Sequence, residues 1–385
     1  MRKPRPLKVE KEVKLIFVGG FLGSGKTTAL AAQAKGLLDR GLRVGIITND
    51  QTENLVDTII VKEMLKGLGV PVEEVVKGCF CCKFDELIDE VEKILVHKPD
   101  VLLGEPVGSC TDFVAAVANP IKIHYQEAFR FAPFTTLIDP HRVRELLLGE
   151  KGSAFPEEVA YLFKKQLEEA DIIVLNKSDL LNPEEVERLT KALRDRFPEK
   201  SIRSVSAKTG LGMMEWLDEL LSGRPGSNTV LGELDYDRYA QAEAVLGWLN
   251  GAISLTAQQA PAPFDARILA ARLAVDLREA FKKRGGEIGH LKFVITSSGK
   301  TLWTNLTHID AEPVINGEDP GRLSRGTLIL NARVKLEPEV LEGIVRERLE
   351  VVLGEEGIRF VIDELQCFSP AYPQPPYLVR EEVTA

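Results

Sequence analysis

Residues Leu15 to Thr28, LIFVGGFLGSGKTT, constrain the fold of this chain more than any other stretch. Leu15, Ile16, Phe17 and Val18 read as a buried strand, and Thr28 to Asp39 as a helix. Between them lies Gly20-x-x-x-x-Gly25-Lys26-Thr27, with Gly23 and Ser24 inside the loop. Glycines at this spacing let backbone N–H groups close around a polyphosphate. Lys26 can reach the outer oxygens, and Thr27 offers a hydroxyl to Mg²⁺. The helix that Thr28 opens presents its positive end to the anion.

The strand–loop–helix unit needs further strands, and the sequence supplies them. Val44 to Thr48, a short run ending at Val75 and Val76, Val101 to Leu103, Thr135 to Ile138, Ile172 to Leu175 and Ile202 to Val205 read as further short strands, each carrying apolar residues. Helical patterns such as Asp85 to Val96 and Glu184 to Arg196 lie between them. This alternation predicts an α/β fold, a doubly wound, mostly parallel sheet of the P-loop NTPase kind, with ligands beyond the carboxyl ends of the strands.

At 385 residues the chain is too long for one ordinary core. The Gly/Pro/Ser stretch Ser222 to Asn228 is the expected linker. After it the pattern becomes strand, long helix, hairpin, strand, helix, strand, which predicts a smaller ferredoxin-like α+β domain with an extra strand. The expected division is a basic tail over 1–12, a nucleotide domain over 13–221, a linker over 222–232 and an α+β domain over 233–385.

Ile172-Ile-Val-Leu-Asn176-Lys177-Ser178-Asp179 is a buried strand ending in Asn-Lys-x-Asp. A carboxylate at Asp179 accepts the N1–H and 2-amino donors of guanine, and adenine would leave it unpaired. Asn176 is expected to brace the loop and Lys177 to lie along the base. Ser206 and Ala207 end another strand, where the Ala207 N–H can meet the guanine oxygen. Glu105-Pro-Val-Gly108 follows an apolar strand in the place of the Asp-x-x-Gly that holds Mg²⁺ through water and senses the γ-phosphate.

Gly78-Cys79-Phe80-Cys81-Cys82-Lys83 precedes a predicted helix. Three sulfurs on one turn suit Zn²⁺ or another thiophilic metal, with a position left open. The helix N-terminus and Lys83 favour thiolates. Inert packing and thiol redox chemistry are the competing readings of the same residues. Cys110 is a candidate fourth ligand, a gate, or a packed small residue.

The phosphate loop, GCFCC, Glu-x-x-Gly and ADIIVLNKSDL together resemble the CobW-like branch of metallochaperone GTPases, relatives of the urease and hydrogenase maturation GTPases. The resemblance implies GTP hydrolysis coupled to delivery of a metal, zinc foremost, or of a cofactor to a client protein. It also implies, as is common in the family, nucleotide-dependent homodimers. Lys26, Thr27, Asp50 and Glu105 would carry the hydrolysis, Asp50 by orienting Mg²⁺ or the attacking water. No general base stands out, so slow intrinsic turnover is expected. The alternatives are a GTPase chaperone that gates corrinoid loading with a structural zinc and, more distantly, a small-molecule kinase. The chain departs from the family pattern at Gln51-Thr52-Glu53 and at Gly108-Ser109-Cys110, and it has only five histidines, with no histidine-rich segment.

A net charge of −9 argues against broad binding to nucleic acid or anionic membrane, despite Arg2, Lys3, Arg5, Lys8, Lys11 and Lys14 near the start. No apolar run has the length of a signal peptide or a membrane span, so a cytoplasmic protein is expected.

Overall fold

The computed structural model describes residues 7, 9–50, 56–150, 153–226, 229–258, 263–381 and 383. These form two compact units, each discontinuous in sequence. The first takes in the described parts of 1–53, 65–239 and 373–385. The second takes in those of 54–64 and 240–372. Among the described residues no helix is long and apolar enough to cross a membrane.

The first unit is built on eight strands: β1 Val13–Gly19, β2 Val44–Asn49, β3 Val72–Val75, β4 Val101–Glu105, β5 Phe129–Phe131, β6 Thr135–Ile138, β7 Ile172–Leu175 and β8 Ser201–Ser204. Their order is β3-β2-β4-β1-β6-β7-β8, with every pairing parallel. β5 pairs with the start of β1, below the point where β6 takes over. It is the strand that the sequence pattern missed, because three residues just before Pro133 carry no period. The order reverses around β1, so the loops after β1, β4 and β6 open at neighbouring carboxyl ends, where parallel sheets hold their ligands. The helix Lys26–Asp39 buries Ala29, Leu30, Ala34 and Leu37. Phe17 of β1 packs on Phe113, which stacks on Phe134, with ring centroids 4.8 Å apart in both pairs.

In the second unit, β9 Gly247–Ala257, β11 Ile288–Ser297, β12 Lys300–Leu306, β13 Val314–Gly317, β15 Arg325–Val334 and β16 Ile358–Phe368 form an antiparallel sheet. β10 Phe264–Asp265 and β14 Arg322–Leu323 pair separately. The sheet order is β13-β12-β11-β15-β9-β16. With the helices Ala266–Lys283 and Pro338–Glu355, the central run β11-β15-β9-β16 is the ferredoxin-like arrangement, and the β12–β13 hairpin widens it. Leu269, Leu273, Leu277 and Phe281 of one helix and Leu341, Val345, Leu349 and Val352 of the other share a core with Leu249, Ile253, Phe293 and Leu330 of the sheet. The helix Val56–Met64 belongs to this unit too. Val56 and Ile60, one turn apart, pack against Val294 and Ile329, and Asp57 pairs with Lys292 at 2.6 Å. Residues 51–55, which include the departure at Gln51-Thr52-Glu53, lie outside the described residues, as do Arg2, Lys3, Arg5 and Lys8.

Candidate functional site

The phosphate loop takes its shape from its glycines. Gly20, Gly23 and Gly25 have φ of 131°, 75° and 92°. A Cβ on Gly20 would lie 2.1 Å from the Leu137 carbonyl oxygen, and one on Gly25 would lie 2.5 Å from Asn176 Nδ2. Any side chain there would push the loop off β6 and β7. The helix begins directly after Gly25, at Lys26 rather than at Thr28, so Lys26, Thr27 and Thr28 form its first turn. Lys26 is buried and donates through Nζ to the carbonyls of Gly20, at 2.8 Å, and Phe21, at 3.4 Å. It therefore arches over the cradle. Thr27 Oγ1 donates to Glu105 Oε1 at 3.1 Å, which brings the hydroxyl and the carboxylate of the Mg²⁺ reading together across 78 residues of sequence. Such an all-oxygen pair suits a hard cation.

Asn176 joins this cradle to the loops after β7 and β8. Its Nδ2 donates to the Ser24 carbonyl at 2.8 Å and its Oδ1 accepts the Ala207 N–H at 3.0 Å. The Ala207 N–H expected to face a guanine oxygen thus donates to a side chain here. Asp179 accepts from Ser206 Oγ at 2.6 Å. Lys177, with φ of 58°, pairs with buried Asp139 at 2.5 Å, beyond the end of β6. Burial would raise the Asp139 carboxyl, but the Lys177 charge and hydrogen bond win and hold it low. Asp139 was visible in the sequence as a strand-end carboxylate, but its pairing with Lys177 was not.

The turn after β4 is held from outside. Gln166 Nε2 donates to the carbonyls of Gly108, at 3.0 Å, and Cys110, at 3.1 Å. A Cβ on Gly108 would meet Leu22 Cδ2 at 2.6 Å, so this turn abuts the phosphate loop. Two residues past Cys110, buried Asp112 accepts from Tyr236 Oη and Arg380.

The cysteines form the second half of the site. The Cys82 and Lys83 N–H groups both donate to the Cys79 carbonyl, closing a turn just ahead of the helix Phe84–Leu95. The sulfurs of Cys79, Cys81 and Cys82 lie within 4.8 Å of one another, close enough to share one ion. Cys110 reaches the group through a hydrogen bond with Cys81. The thiols do not respond alike. Hydrogen bonds to Cys81 and Cys82, with burial, push the Cys79 thiol up, and the bond to Cys110 does the same for Cys81. Cys82, the most exposed of the three, accepts from Cys79 and Cys81 and falls to about 3. Thiolate character is thus favoured at Cys82, to which its neighbours hydrogen-bond. Lys83 is engaged with Glu86 at 2.8 Å, and its charge is a minor influence.

Asn49, at the end of β2, ties this turn to the sheet. Its Nδ2 donates to the carbonyls of Val75, at 3.0 Å, and Gly78, at 2.7 Å, and its Oδ1 accepts the Phe80 N–H at 2.8 Å. Its neighbour Asp50 is buried and donates its N–H to the Val75 carbonyl at 3.1 Å. Sequence reasoning missed the bracing role of Asn49; an amide directly after the apolar run Val44 to Thr48 was the available signal.

Residues 14–203 match the model of the CobW/HypB/UreG nucleotide-binding domain. The zinc chaperone CobW of Pseudomonas aeruginosa is 26% identical over 255 residues, covering 57% of this chain and 65% of that protein. The zinc chaperone YeiR of Escherichia coli is 31% identical over 178 residues, covering 45% and 49%. The chain thus spans 65% of the length of one of these curated relatives and 49% of the other. The solved structure of hydrogenase maturation factor HypB from Archaeoglobus fulgidus is 18% identical, covering 55% of this chain and 89% of that one, with a TM-score of 0.37. Residues 14–203 of this chain thus form a nucleotide-binding domain of the CobW/HypB/UreG kind.

Proposed function

We propose that the chain is a GTP-hydrolysing metallochaperone that takes up zinc, or another thiophilic metal, at Cys79, Cys81 and Cys82 and hands it to a client protein. The observation that carries this reading is the convergence of three sulfurs on a turn braced by Asn49, beside the strand that ends at Glu105. The names of the curated relatives, zinc chaperones and a zinc-regulated GTPase metalloprotein activator, point the same way.

On this reading Lys26 exchanges its contacts with the Gly20 and Phe21 carbonyls for phosphate oxygens, and the amides of Gly23 to Thr28 complete the cradle. Thr27 and Glu105 would hold Mg²⁺, which would supply positive charge against the outer phosphates. Asp179, set by Ser206, selects guanine. The turn from Glu105 to Asp112 senses the outer phosphate, and Cys110 carries its state to Cys81. Three soft sulfurs with an open position bind zinc firmly and still allow an incoming ligand to take it.

The test is elemental analysis of the purified chain together with a hydrolysis assay. About one zinc per chain is expected in wild type and none in the variant with Cys79, Cys81 and Cys82 all changed to Ser. Lys26→Ala should abolish GTP turnover and leave the metal content intact. Equal zinc in wild type and the triple variant would end the metallochaperone reading; undiminished turnover in Lys26→Ala would move the hydrolysis elsewhere.

A further inference from the structure

Beyond β16 the chain returns to the first unit and lays a segment without helix or strand beside the cysteine turn. The Gln374 N–H donates to Cys82 Sγ at 3.4 Å. Tyr377 is buried against Phe84, the first residue of the helix after the cysteines, with centroids 4.8 Å apart, and its hydroxyl meets Asp85 at 3.4 Å. The Val379 N–H donates to the Ala115 carbonyl at 2.8 Å, and Asn119 Nδ2 donates to the carbonyls of Val379 and Glu381, both at 3.0 Å. Arg380 pairs with buried Asp112 at 2.7 Å. The strap therefore touches both ends of the thiol group: Cys82 directly, and the turn that carries Cys110 through Asp112.

Building on the metal reading above, we propose that residues 373–381 are a removable cover that sets the rate at which metal enters and leaves the cysteine turn. The cover lies over Cys82, the most solvent-accessible of the three thiols. A metal leaves a thiolate site by ligand exchange, so an incoming donor must reach it from the open side. A segment outside the sheet, held by a few anchors, opens locally at far less cost than global unfolding. Tyr377, through Phe84 and Asp85, and Arg380, through Asp112, are those anchors, and they act as positioning residues.

The experiment uses the full chain loaded with Zn²⁺ and mixed with rising concentrations of a chromogenic chelator. In wild type, zinc loss should reach a plateau, because strap opening becomes limiting. The plateau should match the amide exchange rate of the 373–381 peptide, measured by mass spectrometry on the zinc-loaded chain under conditions where every opening is captured. Tyr377→Ala should raise the plateau about tenfold, as expected from losing one aromatic anchor. Removal of residues 373–385 should make zinc loss linear in chelator. Wild-type loss that is already linear, or a Tyr377→Ala plateau within about twofold of wild type, overturns the cover. The wild-type comparison of plateau and amide exchange decides the matter even if a variant folds poorly. A wild-type chain that takes up no zinc fails at the earlier step and overturns the metal reading itself.

Discussion

Two carboxylates show how the surroundings assign different tasks to one functional group. Asp179 sits at the end of β7 with one oxygen held by Ser206, so its orientation is set before any ligand arrives. If it reads guanine, Asp179→Asn should weaken GTP binding by about 2–4 kcal/mol, because an acceptor becomes a donor against N1–H. Xanthosine triphosphate should gain relative to GTP, and a competition titration with the two nucleotides checks this; unchanged GTP affinity would remove the guanine assignment. Glu169 is buried and accepts the Val114 N–H at 2.7 Å. Burial raises its carboxyl to about 8, with the nearby Asp112 adding to the shift. The folded chain then keeps a proton that the unfolded chain releases above its ordinary value of 4.5. Stability from this group is greatest below that value and is lost as pH rises towards about 8. Glu169→Gln keeps an acceptor for Val114 and removes the titration. Its denaturation midpoint should fall less than that of wild type between pH ~5 and ~8, a difference worth about 3–5 kcal/mol at the alkaline end. Parallel pH profiles for the two proteins would contradict this.

At the scale of elements, each chemically active segment is short and local, whereas the groups that position it come from far away. The phosphate loop, the cysteine turn and Asn176 to Asp179 were legible because a few adjacent residues determine their backbone shape: glycines at positive φ, or a turn entering a helix. Asn49, Gln166 and Arg380 were not legible in these roles. Which strand ends lie side by side is decided by the crossover order β3-β2-β4-β1, and nothing near Asn49 states that the Gly78 turn will meet it. The order of the second sheet was legible in outline for the opposite reason, since long periodic strands and helices carry their own pattern. The bracing role makes Asn49→Ala informative. It removes three hydrogen bonds and leaves the Phe80 N–H and the Gly78 carbonyl to find other partners. The expected loss is about 2–3 kcal/mol in denaturant unfolding, with weaker zinc binding because the sulfurs are no longer held in one arrangement. A variant of wild-type stability and wild-type zinc affinity would show that the turn holds itself.

For the molecule as a whole, the question is whether the two halves of the site respond to each other. β2, β4 and β1 are neighbours, and all three end on the same side of the sheet. β1 leads into the phosphate loop. β4 ends at Glu105, which Thr27 reaches from the helix after that loop. β2 ends at Asn49, which braces the cysteine turn, and Cys110 links the turn after β4 to Cys81. A ligand that rearranges Glu105 to Asp112 therefore bears on the sulfurs through bonded and packed groups. Linkage requires that if GTP changes zinc affinity, zinc changes GTP affinity by the same factor, with a coupling of about 1–3 kcal/mol, or roughly 5–150-fold. The measurement is a zinc competition titration without nucleotide, with GDP and with a non-hydrolysable GTP analogue, and then the reverse titration of nucleotide with and without zinc. Zinc uptake should release protons, because Cys79 and Cys81 are held protonated and a metal needs them ionised. Apparent affinity should therefore climb with pH until both thiols ionise. Cys110→Ser separates the roles of the fourth cysteine. Weaker zinc binding in every nucleotide state makes it a standing ligand. Weaker binding in only one state makes it the element that passes phosphate occupancy to the metal. Identical zinc affinity in all three states would leave two independent sites on one sheet, and hydrolysis would then have no means of driving delivery.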